Sequence, residues 1–139
     1  MKSCPCRSGL DYDVCCGPVI EGTIWPQTAE ALMRSRYTAF ALRKVAWLKE
    51  SLWPKYQKTL DMPGLTEFAH SRQWVGLDIL KVEQGGAEDT TGMVLFVARA
   101  LESGAVREHR EASLFRKKKG HWYYVMAVAE DQAKSLLDH

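Results

Sequence analysis

At 139 residues, 46% of them hydrophobic and 26% charged, the chain is long enough for one domain with its own core and too apolar to be mainly disordered. Its 19 Lys and Arg against 17 Asp and Glu leave a formal charge of +2, which does not mark a protein built around global attraction to nucleic acid. No stretch approaches the apolar length of a membrane span.

All four cysteines lie at the start, as Cys4-Pro5-Cys6-Arg7-Ser8-Gly9 and Cys15-Cys16-Gly17. Two close pairs of soft ligands joined by a short polar loop are what one tetrahedral Zn²⁺ requires. A disulfide framework fits less well, because bonds within either close pair are strained and both cross-pairings would have to share one hairpin. Met1-Lys2 leads into the cysteines without an apolar leader segment, so a reducing cytoplasm is expected, where such a cluster more often binds metal. Zn²⁺ is expected ahead of an iron–sulfur cluster, one ion per chain. Four thiolates fill every coordination position, so Cys4, Cys6, Cys15 and Cys16 are read as a structural site. Such a site carries two net negative charges, which cancel the formal +2. Leu10, Tyr12 and Val14 are too few to order this segment alone, and metal–thiolate bonds supply the difference. Gly9 and Gly17 suit positive-φ turns in a tight ligand loop.

Helix is expected over 26–52, with Thr28 as N-cap and Glu30 in the first turn. Leu32, Arg36, Ala39, Phe40 and Arg43 recur at helical spacing, and Trp53-Pro54 ends the run. A shorter helix is expected over 65–73, after Pro63-Gly64. Strands follow over 75–83, 91–101, 107–116 and 121–129, with turns at Gly85-Gly86, Ser103-Gly104 and 117–120. Helices followed by a four-stranded antiparallel meander make an α+β layout.

On the second strand both faces are apolar, whereas an antiparallel sheet with one wet face alternates. The second face is therefore expected to be covered, by the zinc segment or by another subunit, with partial cover in the monomer preferred. On the third strand His109, Glu111, Ser113 and Phe115 share a face, so an inward Phe115 brings Glu111 inward too. An inward carboxylate needs a partner, and Arg36 on the first helix is the expected one. Two readings remain: a buried Arg36–Glu111 pair that fixes helix against sheet, or a polar pocket lined by Arg36, Tyr37, Trp74, His109, Glu111 and Phe115. None of His70, His109, His121 and His139 sits in a context that marks a catalytic pair. Arg116-Lys117-Lys118-Lys119 reads as a solvated hairpin tip or as a weak contact site for RNA, such as a ribosomal surface.

The Cys4–Gly9 run with Cys15-Cys16 resembles the SEC-C motif, a zinc module first known from the tail of the preprotein translocase ATPase. Arg7 stands where the usual C-P-C-G-S-G pattern has glycine. The stretch from Pro26 to Ala41, PQTAEALMRSRYTAFA, is similar to the body of the bacterial YchJ-like (UPF0225) proteins, and the late Trp-Tyr-Tyr is compatible with it. The resemblance implies a SEC-C module at 1–22 and an NTF2-like (cystatin-like) α+β domain at 23–139, in a family without an assigned activity. It also implies a docking role, since the ATPase tail is associated with recognition of an export chaperone. The alternative is a small-ligand binder or enzyme using the cone of the NTF2-like domain.

Overall fold

The computed structural model describes residues 2–132 and Leu137, so His139 lies outside the described residues. After a 3-10 turn at Tyr12–Val14 come α1 (Cys16–Ile20), α2 (Ala29–Ala41), α3 (Val45–Glu50), α4 (Pro54–Gln57) and α5 (Met62–His70). Four strands follow: β1 (Gln73–Gln84), β2 (Thr91–Glu102), β3 (Ala105–Lys118) and β4 (His121–Val128). They form one antiparallel sheet in the order β1-β2-β3-β4. The β2–β3 and β3–β4 turns are two-residue loops with both residues at positive φ, Ser103-Gly104 and Lys119-Gly120, which suits the twist of the flanking strands.

The expected helix over 26–52 is two helices, α2 and α3. The Thr28 hydroxyl caps α2 by accepting from the Ala31 N–H at 3.1 Å. At the other end Arg43 turns left-handed at φ 60°, while Lys44 N donates to Ala39 O and Arg43 N to Phe40 O. This Schellman closure stops the helix without glycine or proline, which is why helical spacing alone overran it. Pro54 then opens α4, and Asp61 caps α5 through the Gly64 N–H, three residues before the expected start.

One core lies between the helices and the sheet face carrying Val94, Phe96, Ala98 and Phe115. Trp122 seals its end, fully buried, with Nε1 donating to Gln27 O, while Trp25 Nε1 donates back to Trp122 O. The N-terminus of α2 sits close against the sheet: Ala29 N donates to Gly85 O, and a Cβ on Gly92 would meet Gly85 Cα at 2.5 Å.

The opposite sheet face is partly covered within the chain, but not by the cysteine segment, and Leu101, Val106 and Met126 on it stay exposed. Met93, Leu95, Ala112, Leu114 and Val125 pack with Leu137, Trp53 and Val128. The cysteines join the helix-side core instead, because α1 docks on α2.

Candidate metal centre and cavity

The cysteine loop closes on itself before it meets the body. Cys4 N donates to Leu10 O and Arg7 N to Cys4 O, while Arg7 and Gly9 take positive φ of 65° and 87°. Gly17 is helical, contrary to the turn expected there. Its lack of a side chain matters because a Cβ would lie 2.8 Å from Tyr12 O.

All four Sγ atoms lie within 4.8 Å of one another, and Cys6–Cys15 and Cys15–Cys16 are 3.6 and 4.0 Å apart. A tetrahedral ion with sulfur bonds of ~2.3 Å needs sulfur–sulfur edges of ~3.8 Å, so the donor set fits one metal ion. Body residues brace it: the Thr38 hydroxyl donates to Cys16 Sγ at 3.3 Å, and Arg34 Nη1 donates to Cys6 O at 2.7 Å. A hydrogen bond from Cys16 lowers Cys6 to about 4, and the same bond, then burial, pushes the Cys16 thiol up.

The second feature is a cavity of about 550 Å³ between α2, α5 and the sheet. Arg36, Tyr37, Trp74, His109, Glu111 and Phe115 all line it, with α2 supplying the first two and β3 the last three. Tyr37, Phe40 and Phe68 surround the Trp74 ring at centroid distances of 6.0, 5.5 and 6.0 Å. Trp74 Nε1 is buried without a hydrogen-bond partner.

The expected direct Arg36–Glu111 pair does not form, because Tyr124 stands between the two charges. The Arg36 guanidinium lies over the Tyr124 ring, 4.6 Å from its centroid, and the Tyr124 hydroxyl donates to Glu111 Oε2 at 3.1 Å. Arg36 Nη1 instead donates to Leu48 O and Ser51 Oγ, at 2.9 and 2.6 Å. Glu111 also accepts from Ser113 and pairs with His109 Nε2 at 2.9 Å. Burial lowers Arg36 to about 10, with Tyr124 and Glu111 partly restoring it, so it stays charged near neutral pH. Burial, then the Glu111 charge, pushes the Tyr124 phenol up, which keeps it a donor.

Sequence reasoning missed Tyr124 and Arg72, which line the cavity with Phe40 and Phe68, and Ser51, which holds Arg36 from behind it. A register shift between Leu114 and Phe115 sets Tyr124 opposite Phe115, and strand alternation did not foretell it. Ser51 fell inside an expected helix. Arg72, which holds Glu102 and lies over Phe68 at 3.7 Å, carried no signal.

The geometry defines an NTF2-like domain joined to a SEC-C cysteine loop. Residues 28–127 match the family model described as the YchJ middle NTF2-like domain. The chain is 40% identical to a UPF0225 protein of Geobacter sulfurreducens, covering 87% of this chain and 75% of that one. It is 39% identical to one of Actinobacillus succinogenes, covering 91% and 82%. The solution structure of a SEC-C motif containing protein from Rhodopseudomonas palustris superposes with TM-score 0.83 at 35% identity, covering 91% of this chain and 97% of that one. The crystal structure of another, from Psychrobacter arcticus, gives TM-score 0.80 at 28% identity, covering 94% and 86%. The chain belongs to the YchJ-like, UPF0225 family. Among the described residues, no helix is long and apolar enough to cross a membrane.

Proposed function

We propose that the chain binds a small ligand in the NTF2-like cavity, while Cys4, Cys6, Cys15 and Cys16 hold one structural Zn²⁺. The observation that carries the reading is that the space beside Arg36, Tyr124 and Glu111 stays open. A void of about 550 Å³ lies within the range of small-molecule sites, roughly 300–1,000 Å³. Its walls are aromatic and its polar end holds both charge signs. The ligand is accordingly a compact molecule with a flat apolar body and a group that accepts from Arg36. Closed thiolate coordination leaves the metal no open position for chemistry, and four free thiols suit a reducing compartment such as the cytoplasm.

A fragment screen by protein NMR on the zinc-loaded chain tests this. Small aromatic carboxylates are expected to shift signals of Phe40, Trp74 and Phe96, and Ala98→Phe, which fills the cavity, is expected to remove the response. Shifts confined to other surfaces, or persisting in the filled variant, reject the reading.

One observation favours a second role. Leu10 and Val14 on the cysteine loop are 52% and 70% exposed, apolar contacts suited to docking on another protein. A pulldown comparing wild type with Leu10→Ser/Val14→Ser, which leaves the metal in place, is expected to lose that partner. Identical captures count against docking through the loop.

A further inference from the structure

Positive charge is unevenly placed on this near-neutral chain. Segments 49–60 and 116–123 together hold seven Lys or Arg against one carboxylate, Glu50, whereas the whole chain is nearly balanced at 19 to 17. Among the described residues, none of those seven takes part in an ion pair. Six carboxylates are paired elsewhere, with Arg34, Arg72, Lys81, Arg99 and Arg110.

The two segments meet at one end of the molecule. Cross-strand pairing sets Arg116 opposite Tyr123 and Lys118 opposite His121, so these four share one face of the β3–β4 hairpin. Lys118 Nζ reaches over the Trp53 ring at 5.6 Å, and Trp53 leads directly into α4 with Lys55. Aromatic rings run along the same face. His121 stacks on Trp25 at 4.5 Å with planes 10° apart, Trp25 meets Tyr123 at 5.4 Å, and Tyr123 meets Trp53 at 6.0 Å. Trp25, Tyr123 and Trp53 are half-buried and His121 is exposed, so the row is held by the fold and remains reachable.

We infer that this face binds single-stranded nucleic acid, with the lysines tracking phosphates and the aromatic row offering surfaces for unpaired bases. Lysines without acid partners can release counterions from a phosphate chain at no cost in broken ion pairs. Rings beside them give bases a stacking partner that a duplex, whose bases are already stacked, does not need. Lipid headgroups supply negative charge but nothing for the rings to stack on. The face lies outside the cavity, so this proposal and the small-ligand reading stand or fall separately.

Fluorescence anisotropy on the zinc-loaded full chain tests it, with labelled oligouridylate, oligothymidylate and a duplex of equal length as probes. The single strands are expected to bind more tightly than the duplex, with affinity falling as salt rises. Preference for either sugar supports the proposal and says which nucleic acid is bound. Lys118→Glu/Lys119→Glu is expected to weaken binding by about tenfold or more and to flatten the salt dependence. His121→Ala is expected to weaken it severalfold while leaving the salt slope in place. Lys81→Glu, a charge reversal away from this face, controls for net charge, and circular dichroism with metal content confirms folding. Equal binding of the duplex, preference for anionic phospholipid vesicles, or hairpin variants no weaker than Lys81→Glu would each overturn the proposal.

Discussion

Among the described residues up to Gly22, the buried apolar side chains are Cys4, Cys6, Cys16 and Val19, and the bonds that shape the segment are short-range or come from α2, apart from one that the Arg7 side chain makes to β1. Around the cavity the order of dependence is reversed. Leu32, Phe115 and Trp122 are fully buried and hold helices against sheet, yet the interior beside them is open and carries charge. One region thus has too little apolar surface to fold unaided and leaves no room inside. The other has core to spare and leaves about 550 Å³ unfilled. The space is a cleft that opens to solvent past the exposed His109, and the surrounding core has to hold its walls apart where close packing would otherwise draw them together.

The largest expected effect comes from breaking the first region. Cys6→Ser, or a strong chelator, should remove the ion and with it most of the order of residues 2–22, because zinc–thiolate sites contribute roughly 10–16 kcal/mol of apparent binding free energy near neutral pH. Hydrogen exchange is the measurement: amides of the loop should exchange freely while those of β2 and β3 stay protected. Whole-chain unfolding on metal loss would erase the contrast and make the loop part of the main core. Acid should act as the chelator does. The metal binds thiolates, so each proton added as pH falls competes with it, and metal content should decline toward low pH and hold at neutral pH.

A smaller effect tests the cavity. Severing a direct buried ion pair costs about 3–5 kcal/mol, because one charge is stranded. Here Tyr124 separates the charges, and Arg36 rests on Leu48 O, Ser51 Oγ and an aromatic face. Glu111→Gln should therefore cost only about 1–2 kcal/mol, the scale of altered hydrogen bonds to a carboxylate. Denaturant unfolding of the zinc-loaded protein decides, and a loss above 3 kcal/mol would mean that Arg36 depends on Glu111 after all.

The two regions also differ in how far they could be read in advance. Cys4, Cys6, Cys15 and Cys16 announce themselves because their chemistry depends on local spacing, and soft ligands have few other uses at that density. The strands were legible because period-two alternation is local as well, and it correctly set His109, Glu111, Ser113 and Phe115 on one face. What alternation could not supply was the register shift that brings Tyr124 between Arg36 and Glu111, since a bulge is a property of two strands together. The break at Arg43 was hidden for a related reason: it depends on carbonyls of the preceding turn finding donors, with no glycine to signal it. Cover for the second sheet face came from Leu137 and Trp53, residues distant in sequence from the strands they protect.

The smallest effect concerns Arg7, whose side chain ties the cysteine loop directly to the sheet. Arg7 departs from the glycine of the SEC-C pattern, and at φ 65° it occupies a conformation that glycine would take without strain. In return its Nη2 crosses to β1 and donates to Val75 O at 2.6 Å. A left-handed residue costs roughly 1–2 kcal/mol, and an exposed hydrogen bond to a carbonyl contributes about 1 kcal/mol, so the two nearly cancel. Arg7→Ala keeps the strain and loses the tie, and should destabilise by about 1 kcal/mol. Arg7→Gly loses the tie and the strain together, and should leave stability within about 1 kcal/mol of wild type while loosening the loop from Val75. The gap between the two variants, read from denaturant midpoints of zinc-loaded protein, isolates the strain. The gap between wild type and Arg7→Ala isolates the tie. If Arg7→Ala costs nothing, the loop and the sheet are coupled only through α2, and Arg7 is tolerated at this position without joining the two regions.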